Sequence, residues 1–171
     1  EEEETFICIE GTHNITGIKK YLDAFAKKHG TLDPRKEGFL EKEIYTPFHP
    51  NHIVLVATDY VGVLDEEKDL TGHKKLNLDK FSATMRRARD LYNMSPINIQ
   101  QLSRAVSDIN RMKLNDLKPK ISDIAETSTL GRDADVILAI FDSFSYIQEG
   151  VDKDLIGYEL MKMRDNRGFK Y

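Results

Sequence analysis

Two uninterrupted apolar segments place the strongest constraint on what this chain can fold into. Residues 52–57, HIVLVA, and residues 136–141, VILAIF, are each as short as a strand and carry few polar side chains. Central strands of a parallel sheet, buried on both faces, have this continuous character, whereas half-exposed strands alternate. Between the two runs lies a helical pattern marked by Phe81, Met85 and Ala88. Strands that alternate with helices predict an α/β fold, with a mostly parallel sheet flanked by helices.

The rest of the chain supplies further elements of the same kind. A helix that ends near Gly30 is predicted from apolar residues at helical spacing, which are Ile18, Tyr21, Leu22 and Phe25. Three more strands are predicted, at Thr5–Ile9, Pro96–Ile99 and Gly157–Lys162. Three segments are predicted to be loops, namely residues 31–50 with a short helix near 37–43, residues 65–78, and the basic, mobile residues 105–121.

Composition narrows the class of protein. A chain of 171 residues is long enough for one domain or part of a larger one, and we predict a single partial domain over residues 1–171. No apolar run approaches the roughly 18 residues of a membrane span. Cys8 is the only cysteine, so no internal disulfide can form, and we expect a core position for it and a cytoplasmic protein without membrane contact. The net charge of −4 means that any nucleic-acid contact must come from local basic patches.

Residues that follow each strand are the first candidates for a site, because ligands bind at the carboxyl ends of strands in such a sheet. Asp59 follows the strand at 53–57. An apolar strand followed by Asp is the Walker B pattern, whose carboxylate reaches Mg²⁺ on nucleotide phosphates. Gln100 and Gln101 follow the strand at 97–99, where a glutamine could sense a γ-phosphate. Taken singly, each residue also fits a structural role, the aspartate as a turn cap and the glutamines as a hydrated strand end.

These strand ends belong to a longer ordered series of segments. In chain order the series is FICIEGTHNITGIKKYL (6–22), QLSRAV (101–106), ISDIAET (121–127), DADVILAI (133–140) and KMRDNRG (162–168). It resembles the RecA-like ATPase domain, a P-loop NTPase core, of the DnaB-type replicative helicases and their phage relatives. The resemblance implies ATP-driven DNA unwinding by a hexameric ring, with ATP and Mg²⁺ as cofactors and with single-stranded DNA and primase as partners.

The resemblance also implies roles for the residues that match the family's motifs. Asp59 would be the Walker B carboxylate that holds Mg²⁺, and Gln101 would link the nucleotide to the DNA loop. Lys162 and Arg164 match a Lys-x-Arg pair that reaches the nucleotide of a neighbouring subunit, where an arginine can stabilise charge on the transferred phosphoryl group. The basic residues that would contact DNA from a central-channel loop are Arg104, Arg111, Lys113, Lys118 and Lys120.

The charged loop Asp133-Ala134-Asp135, which opens directly into an apolar strand, has a simpler interpretation. Short carboxylate side chains cap turns and hold nearby backbone N–H groups or a neighbouring arginine such as Arg132. We therefore predict that both aspartates are structural rather than chemical.

One part of the site is missing from the sequence. A P-loop needs a Gly-Lys dipeptide, and this chain contains none. We therefore expect the Walker A part to come from a P-loop-bearing partner or a preceding segment, so that the chain is half of a split or truncated enzyme. Two alternatives stay open. The chain could be a non-hydrolysing module that binds single-stranded DNA or a helicase, or another RecA-like ATPase, of the recombinase or clock type.

Overall fold

The computed structural model describes residues 7–9, 14–37, 40–103, 119–124, 128–142 and 156–164. The chain divides into two units, Glu1–Ile99 and Gln100–Tyr171. Among the described residues, no helix is long and apolar enough to cross a membrane.

The first unit contains the predicted amino-terminal helix, α1, which spans Ile15–His29. Its first turn is capped by Asn14, whose Oδ1 accepts a hydrogen bond from the N–H of Gly17 at 2.8 Å. Such a cap satisfies one of the backbone donors that a helix start leaves without an intrahelical partner. Leu22 and Ala26, four positions apart, are buried on the same face. The helix ends at His29 and Gly30 is its C-cap, in agreement with the predicted helix end near Gly30.

A β-hairpin follows α1 where the sequence predicts a loop with a short helix, so that prediction is wrong. Strand β1, Gly30–Glu37, pairs antiparallel with β2, Leu40–Pro47, and Pro34 lies opposite Glu43. The prolines of this segment suggested a loop because proline cannot donate to a sheet. In a two-stranded sheet, however, both strands are edges, and an edge strand tolerates proline.

The strand predicted at Thr5–Ile9 also fails in its described part. Residues 7–9 form no strand, and Cys8 is exposed rather than part of the core. A short apolar run becomes a strand only where a neighbour supplies hydrogen bonds, and none of the described strands pairs with this one.

The predicted strand–helix–strand unit is confirmed in the centre of the first unit. Strand β3, Leu55–Thr58, runs parallel to β4, Ser95–Asn98, and helix α2, Lys74–Tyr92, connects them. Helix α2 starts earlier than predicted, and two short 3-10 helices precede it, at Val61–Val63 and Lys68–Leu70. The prediction of a loop over residues 65–78 is therefore wrong in part, because this segment contains the second 3-10 helix and the start of α2.

The core of the first unit lies between α2 and α1. Helix α2 contributes residues at helical spacing, which are Leu78, Phe81, Met85, Ala88 and Tyr92, all buried. Helix α2 contacts α1, and the buried residues of α1 and Val61 also belong to the core. The apolar side chains of β3 and β4 that point to the other face, Leu55, Ile97 and the following Ile99, stay exposed. In the first unit, helices therefore cover one face of the parallel strand pair, and the other face is exposed.

The second unit is built on a strand pair of opposite direction. Strand β5, Val136–Asp142, pairs antiparallel with β6, Ile156–Met163, and helix α3, Ser128–Asp133, leads into β5. Both strands were predicted. The expected parallel sheet is seen only in part, because β3 and β4 pair in parallel while the other two described strand pairs are antiparallel. Apolar runs locate strands without specifying their direction.

Candidate functional site

The carboxyl end of the parallel strand pair holds Asp59 in a fixed main-chain setting. The N–H of Ile99 donates to the carbonyl of Thr58 at 3.0 Å, and the N–H of Val61 donates to the carbonyl of Ile99 at 3.0 Å. Asp59 lies between these two tie points, and its peptide bond to Tyr60 is cis. The backbone on both sides of the carboxylate is therefore tied to the end of β4, while Asp59 itself is exposed to solvent.

A single exposed carboxylate at this position fits Mg²⁺. Magnesium is usually bound by one or two protein carboxylates, with waters and substrate phosphates completing its octahedron. Within the described segments, no group of three or more His, Cys, Asp and Glu side chains could hold a metal on its own. Asp59 could therefore supply a protein ligand to a metal that arrives with a nucleotide, but not a complete metal cage.

The loop that follows Asp59 is anchored by a buried carboxylate, which the sequence analysis did not single out. Oε1 of Glu67 accepts a hydrogen bond from the N–H of Thr16 at 2.6 Å and lies 3.5 Å from Nζ of Lys80. The main-chain N–H of Glu67 donates to Oδ1 of Asn77 at 2.8 Å. Burial alone would raise the pKa of Glu67, but the hydrogen bond from Thr16 and the charge of Lys80 outweigh it and lower the pKa. The ionised form therefore joins the loop to both helices.

A second polar cluster attaches the hairpin to the helices. The hydroxyl of Tyr92 donates to Oδ1 of Asp23 at 2.6 Å, and Arg87 lies against both residues and against Glu43 of β2. Burial would raise the pKa of Asp23, yet the hydrogen bonds from Lys19 and Tyr92 and the nearby cations lower it. The ring of Tyr45 meets that of Tyr92 edge to face at 5.6 Å, which suits aromatic pairs. This cluster fixes the scaffold and takes no part in the Asp59 site.

A cavity of about 190 Å³ opens beside the Glu67 anchor. It is lined by residues from the start of both helices and from 61–66, and Asp59 is not among them. Asp59 is therefore not part of the cavity wall.

In the second unit, the structure brings Lys162 and Arg164 together on the end of α3. Nζ of Lys162 donates to the carbonyl oxygens of Gly131, at 2.8 Å, and Arg132, at 2.7 Å. Nη2 of Arg164 donates to the same carbonyl of Arg132 at 3.0 Å. The last carbonyls of a helix have no intrahelical partner and carry partial negative charge, so cations suit this position. Lys162 and Arg164, which lie two positions apart in the sequence, thus share the carbonyl oxygen of Arg132 as an acceptor.

The aspartates of the charged loop contact two different arginines. Oδ1 of Asp133 lies 3.7 Å from Nε of Arg132, which agrees with the structural role predicted for it. Oδ1 of Asp135 lies 2.9 Å from Nη1 of Arg164, and the N–H of Arg164 donates to the carbonyl of Asp135 at 2.7 Å. The sequence gives no sign of this second contact, because the two residues lie far apart along the chain and no local pattern joins them.

The glutamine segment and the start of the ISDIAET segment are also joined. Leu102 forms an isolated β-bridge with Ile124, and the N–H of Ser103 donates to the carbonyl of Asp123 at 2.7 Å. Gln101 and Lys120, both exposed, flank this contact. The other basic residues proposed for DNA contact lie outside the described residues, and they are Arg104, Arg111, Lys113 and Lys118.

Comparison with solved structures identifies the class of fold. A DnaB-like replicative helicase, solved with its interactions with primase, is similar with a TM-score of 0.63 and 21% identity, over 90% of this chain and 31% of that chain. A second solved structure, of an ATPase domain, is similar with a TM-score of 0.62 and 22% identity, over 90% of this chain and 45% of that chain. The chain therefore has an α/β fold that resembles the ATPase domain of DnaB-like helicases.

Comparison of sequences then identifies the family. The family model for the DnaB-like helicase C-terminal domain matches residues 40–167. The chain is also 25% identical over 158 residues to the replicative DNA helicase DnaB of Buchnera aphidicola subsp. Acyrthosiphon pisum, which covers 90% of this chain and 32% of that protein. The chain belongs to the DnaB-like helicase C-terminal domain family, and it spans about a third of the length of the curated relative.

Proposed function

We propose that the chain is part of the ATPase of a DnaB-type replicative helicase, which couples ATP hydrolysis to DNA unwinding. The observation that carries the proposal is the extent of the family match, since residues 40–167 include both Asp59 and the Lys162–Arg164 pair. One end of the match thus provides a candidate metal ligand and the other end a pair of cations, which are the two kinds of group that phosphoryl transfer needs.

On the nucleotide side, Asp59 would hold Mg²⁺ and Gln101 would sense the bound nucleotide. The position of Asp59 at the carboxyl end of a parallel strand pair supports this role, because ligands of α/β sheets bind there. When it is bound, Mg²⁺ would neutralise charge on the phosphates. The protein's contribution would be to position the carboxylate, and the main-chain hydrogen bonds of Thr58 and Ile99 support this role because they fix the backbone beside Asp59.

On the subunit side, Lys162 and Arg164 would act on the nucleotide of a neighbouring subunit. A residue supplied in trans requires head-to-tail interfaces, and such interfaces close into a ring when the rotation permits, here a hexamer. The exposure of Arg164 supports this role, because a partner's phosphates can reach its guanidinium from solvent. In the complete ring, Arg164 would stabilise negative charge on the transferred phosphoryl group.

On the DNA side, the basic residues from Arg104 to Lys120 would contact single-stranded DNA in the channel of the ring. Phosphate contacts of this kind give affinity without sequence preference and weaken steeply with salt. Primase is a further candidate partner, because the similar DnaB-like replicative helicase interacts with primase.

The phosphate-binding loop would come from another polypeptide or from a further segment of the same one. The missing Gly-Lys dipeptide and the greater length of the similar ATPase domain support this division. So does the uncovered face of the second unit, where Leu138 opposes Leu160 and Ile140 opposes Tyr158 across β5 and β6, all exposed. Contiguous apolar surface of this kind usually marks an interaction site.

The test is ATP hydrolysis by the purified chain, with and without single-stranded DNA, and again after addition of the P-loop-bearing polypeptide. We expect no turnover by the chain alone and DNA-stimulated turnover by the mixture. Arg164→Ala should abolish turnover in the mixture and leave nucleotide binding intact. The control is Arg89→Ala, which removes an arginine paired with Asp90 on α2, and this variant should keep normal turnover. Salt-sensitive DNA binding with no turnover in any mixture would favour the non-hydrolysing module instead.

A further inference from the structure

We propose that Asp135 is a positioning residue for Arg164, an inference that rests on the proposed role of Arg164 in trans. Asp135 would not touch the nucleotide. It would hold the guanidinium at the start of β5 in the orientation from which Arg164 reaches a neighbouring subunit's phosphates.

Three contacts define that orientation. Nη1 of Arg164 lies 2.9 Å from Oδ1 of Asp135, and Nη2 donates to the carbonyl of Arg132 at 3.0 Å. The main-chain N–H of Arg164 donates to the carbonyl of Asp135 at 2.7 Å. Asp135 therefore binds Arg164 at both its backbone and its charged end, so that the side chain is held at each end of its length.

The arrangement leaves the guanidinium able to bind a phosphate. Arginine carries five N–H donors in a planar fork, and these contacts engage one donor on each terminal nitrogen. The side chains are 47% exposed at Arg164 and 44% exposed at Asp135. The other N–H groups of the fork can therefore donate to phosphoryl oxygens while the contacts to Asp135 and Arg132 persist.

The same exposure indicates that the pair matters little for folding. Exposed ion pairs contribute little to stability, because water screens the charges and the side chains lose conformational freedom. Arginine has many rotamers, and a group that must reach a reacting phosphoryl is most effective when its geometry is already set. Loss of Asp135 should thus reduce turnover much more than it reduces stability or nucleotide affinity.

Lys162 shares this setting, because it donates to the carbonyl of Arg132 that Arg164 also contacts. The two cations are therefore placed side by side on one acceptor, and Asp135 forms an ion pair with Arg164. Removal of the Asp135 side chain should therefore lower turnover by misplacing Arg164, while the hydrogen bonds of Lys162 to the carbonyls of Gly131 and Arg132 remain.

The experiment measures kcat and KM for ATP in the assembled ATPase, meaning this chain with the polypeptide that supplies the P-loop. We expect Asp135→Ala to lower kcat by about 10- to 100-fold, as misplacement of a catalytic group does, with KM nearly unchanged. Asp135→Glu, which keeps the charge, should recover part of the loss. The matched control is Asp133→Asn, which removes a charge two residues away that pairs with Arg132 instead, and it should turn over normally.

The outcomes separate this inference from the proposed function. Normal turnover in Asp135→Ala, with Arg164→Ala inactive, overturns the positioning role and leaves the role of Arg164 in place. Normal turnover in Arg164→Ala removes the trans role, and the inference falls with it. If Asp133→Asn loses as much turnover as Asp135→Ala, the effect belongs to the structure of the loop and the inference is overturned. The same holds if Asp135→Ala lowers the free energy of unfolding in urea enough to account for its lower kcat. In the chain alone, nitrogen NMR of the arginine side chains should show slowed guanidinium rotation at Arg164 that Asp135→Ala abolishes, and free rotation in the unsubstituted chain contradicts the geometry.

Discussion

Replacement of Glu67 by alanine tests whether one buried carboxylate holds the loop after Asp59 in place. Glu67 is 6% exposed, and its Oε1 accepts the N–H of Thr16 at 2.6 Å. A hydrogen bond to an ionised group contributes about 1.5–3 kcal/mol, and the variant leaves the Thr16 donor without that acceptor. Loss of the ion pair with Lys80 adds little to this cost, because the lysine side chain is partly exposed and water can solvate its charge in the variant. We expect a loss of about 2–3 kcal/mol of unfolding free energy.

Urea unfolding followed by far-ultraviolet circular dichroism measures this loss, since the chain has no tryptophan to report by fluorescence. With a urea dependence of about 1–3 kcal/mol per molar, the midpoint should fall by about 1 M. Asp69→Ala is the matched control, because it removes an exposed carboxylate two residues away and should change stability by less than about 0.5 kcal/mol. Equal midpoints for Glu67→Ala and the unsubstituted chain would refute the anchoring role.

The pH dependence of the same difference gives an independent check. The pKa of Glu67 is lowered in the folded chain from its ordinary value of 4.5. The carboxylate therefore contributes stability above that value, and the contribution is lost as the pH falls through the lowered folded pKa. The difference in unfolding free energy between the unsubstituted chain and Glu67→Ala should be at its full value at neutral pH and should disappear in acid below pH 4.5. A gap that persists unchanged in strong acid would show that charge is not its source.

Three further predictions concern the candidate site and its scaffold. Asp59→Asn should abolish Mg²⁺-dependent phosphate release by the assembled ATPase without moving the urea midpoint, because the side chain is exposed. Lys120→Ala should weaken single-stranded DNA binding equally for all sequences and reduce the slope of log affinity against log salt by about 0.7, measured by titration over a range of salt. Tyr92→Phe should lower the unfolding free energy by about 1–2 kcal/mol in urea, because it removes the hydroxyl that donates to Asp23 at 2.6 Å.

Elements with a strong apolar period could be predicted from the sequence. Helix α2 and strands β3 and β5 lie where side-chain spacing places them, because burial on one face or on both leaves a pattern along the chain. The hairpin at Gly30–Pro47 could not be predicted, because its pairing is between two edge strands and one of them contains proline. The antiparallel direction of β6 was equally inaccessible, since a strand's own residues do not reveal its neighbour.

For the candidate site, the sequence and the family resemblance propose residues, but they do not give the arrangement of those residues. Lys162 and Arg164 were found through a family motif, yet the carbonyl of Arg132 that they share is a backbone atom, and any residue could provide it. The contact between Glu67 and Thr16 joins positions 51 residues apart. Contacts of this kind depend on tertiary packing, which leaves no local signal in the sequence.

The exposed position of Tyr158 gives this chain a place for an optical reporter. Tyr158 is 70% exposed on the apolar face of β6, and the chain contains no tryptophan. A Tyr158→Trp variant would carry a single indole, whose emission shifts to shorter wavelength when apolar side chains replace the water around it. Fluorescence titration with the proposed P-loop-bearing polypeptide would then test whether that polypeptide covers this face, without a label and without any turnover.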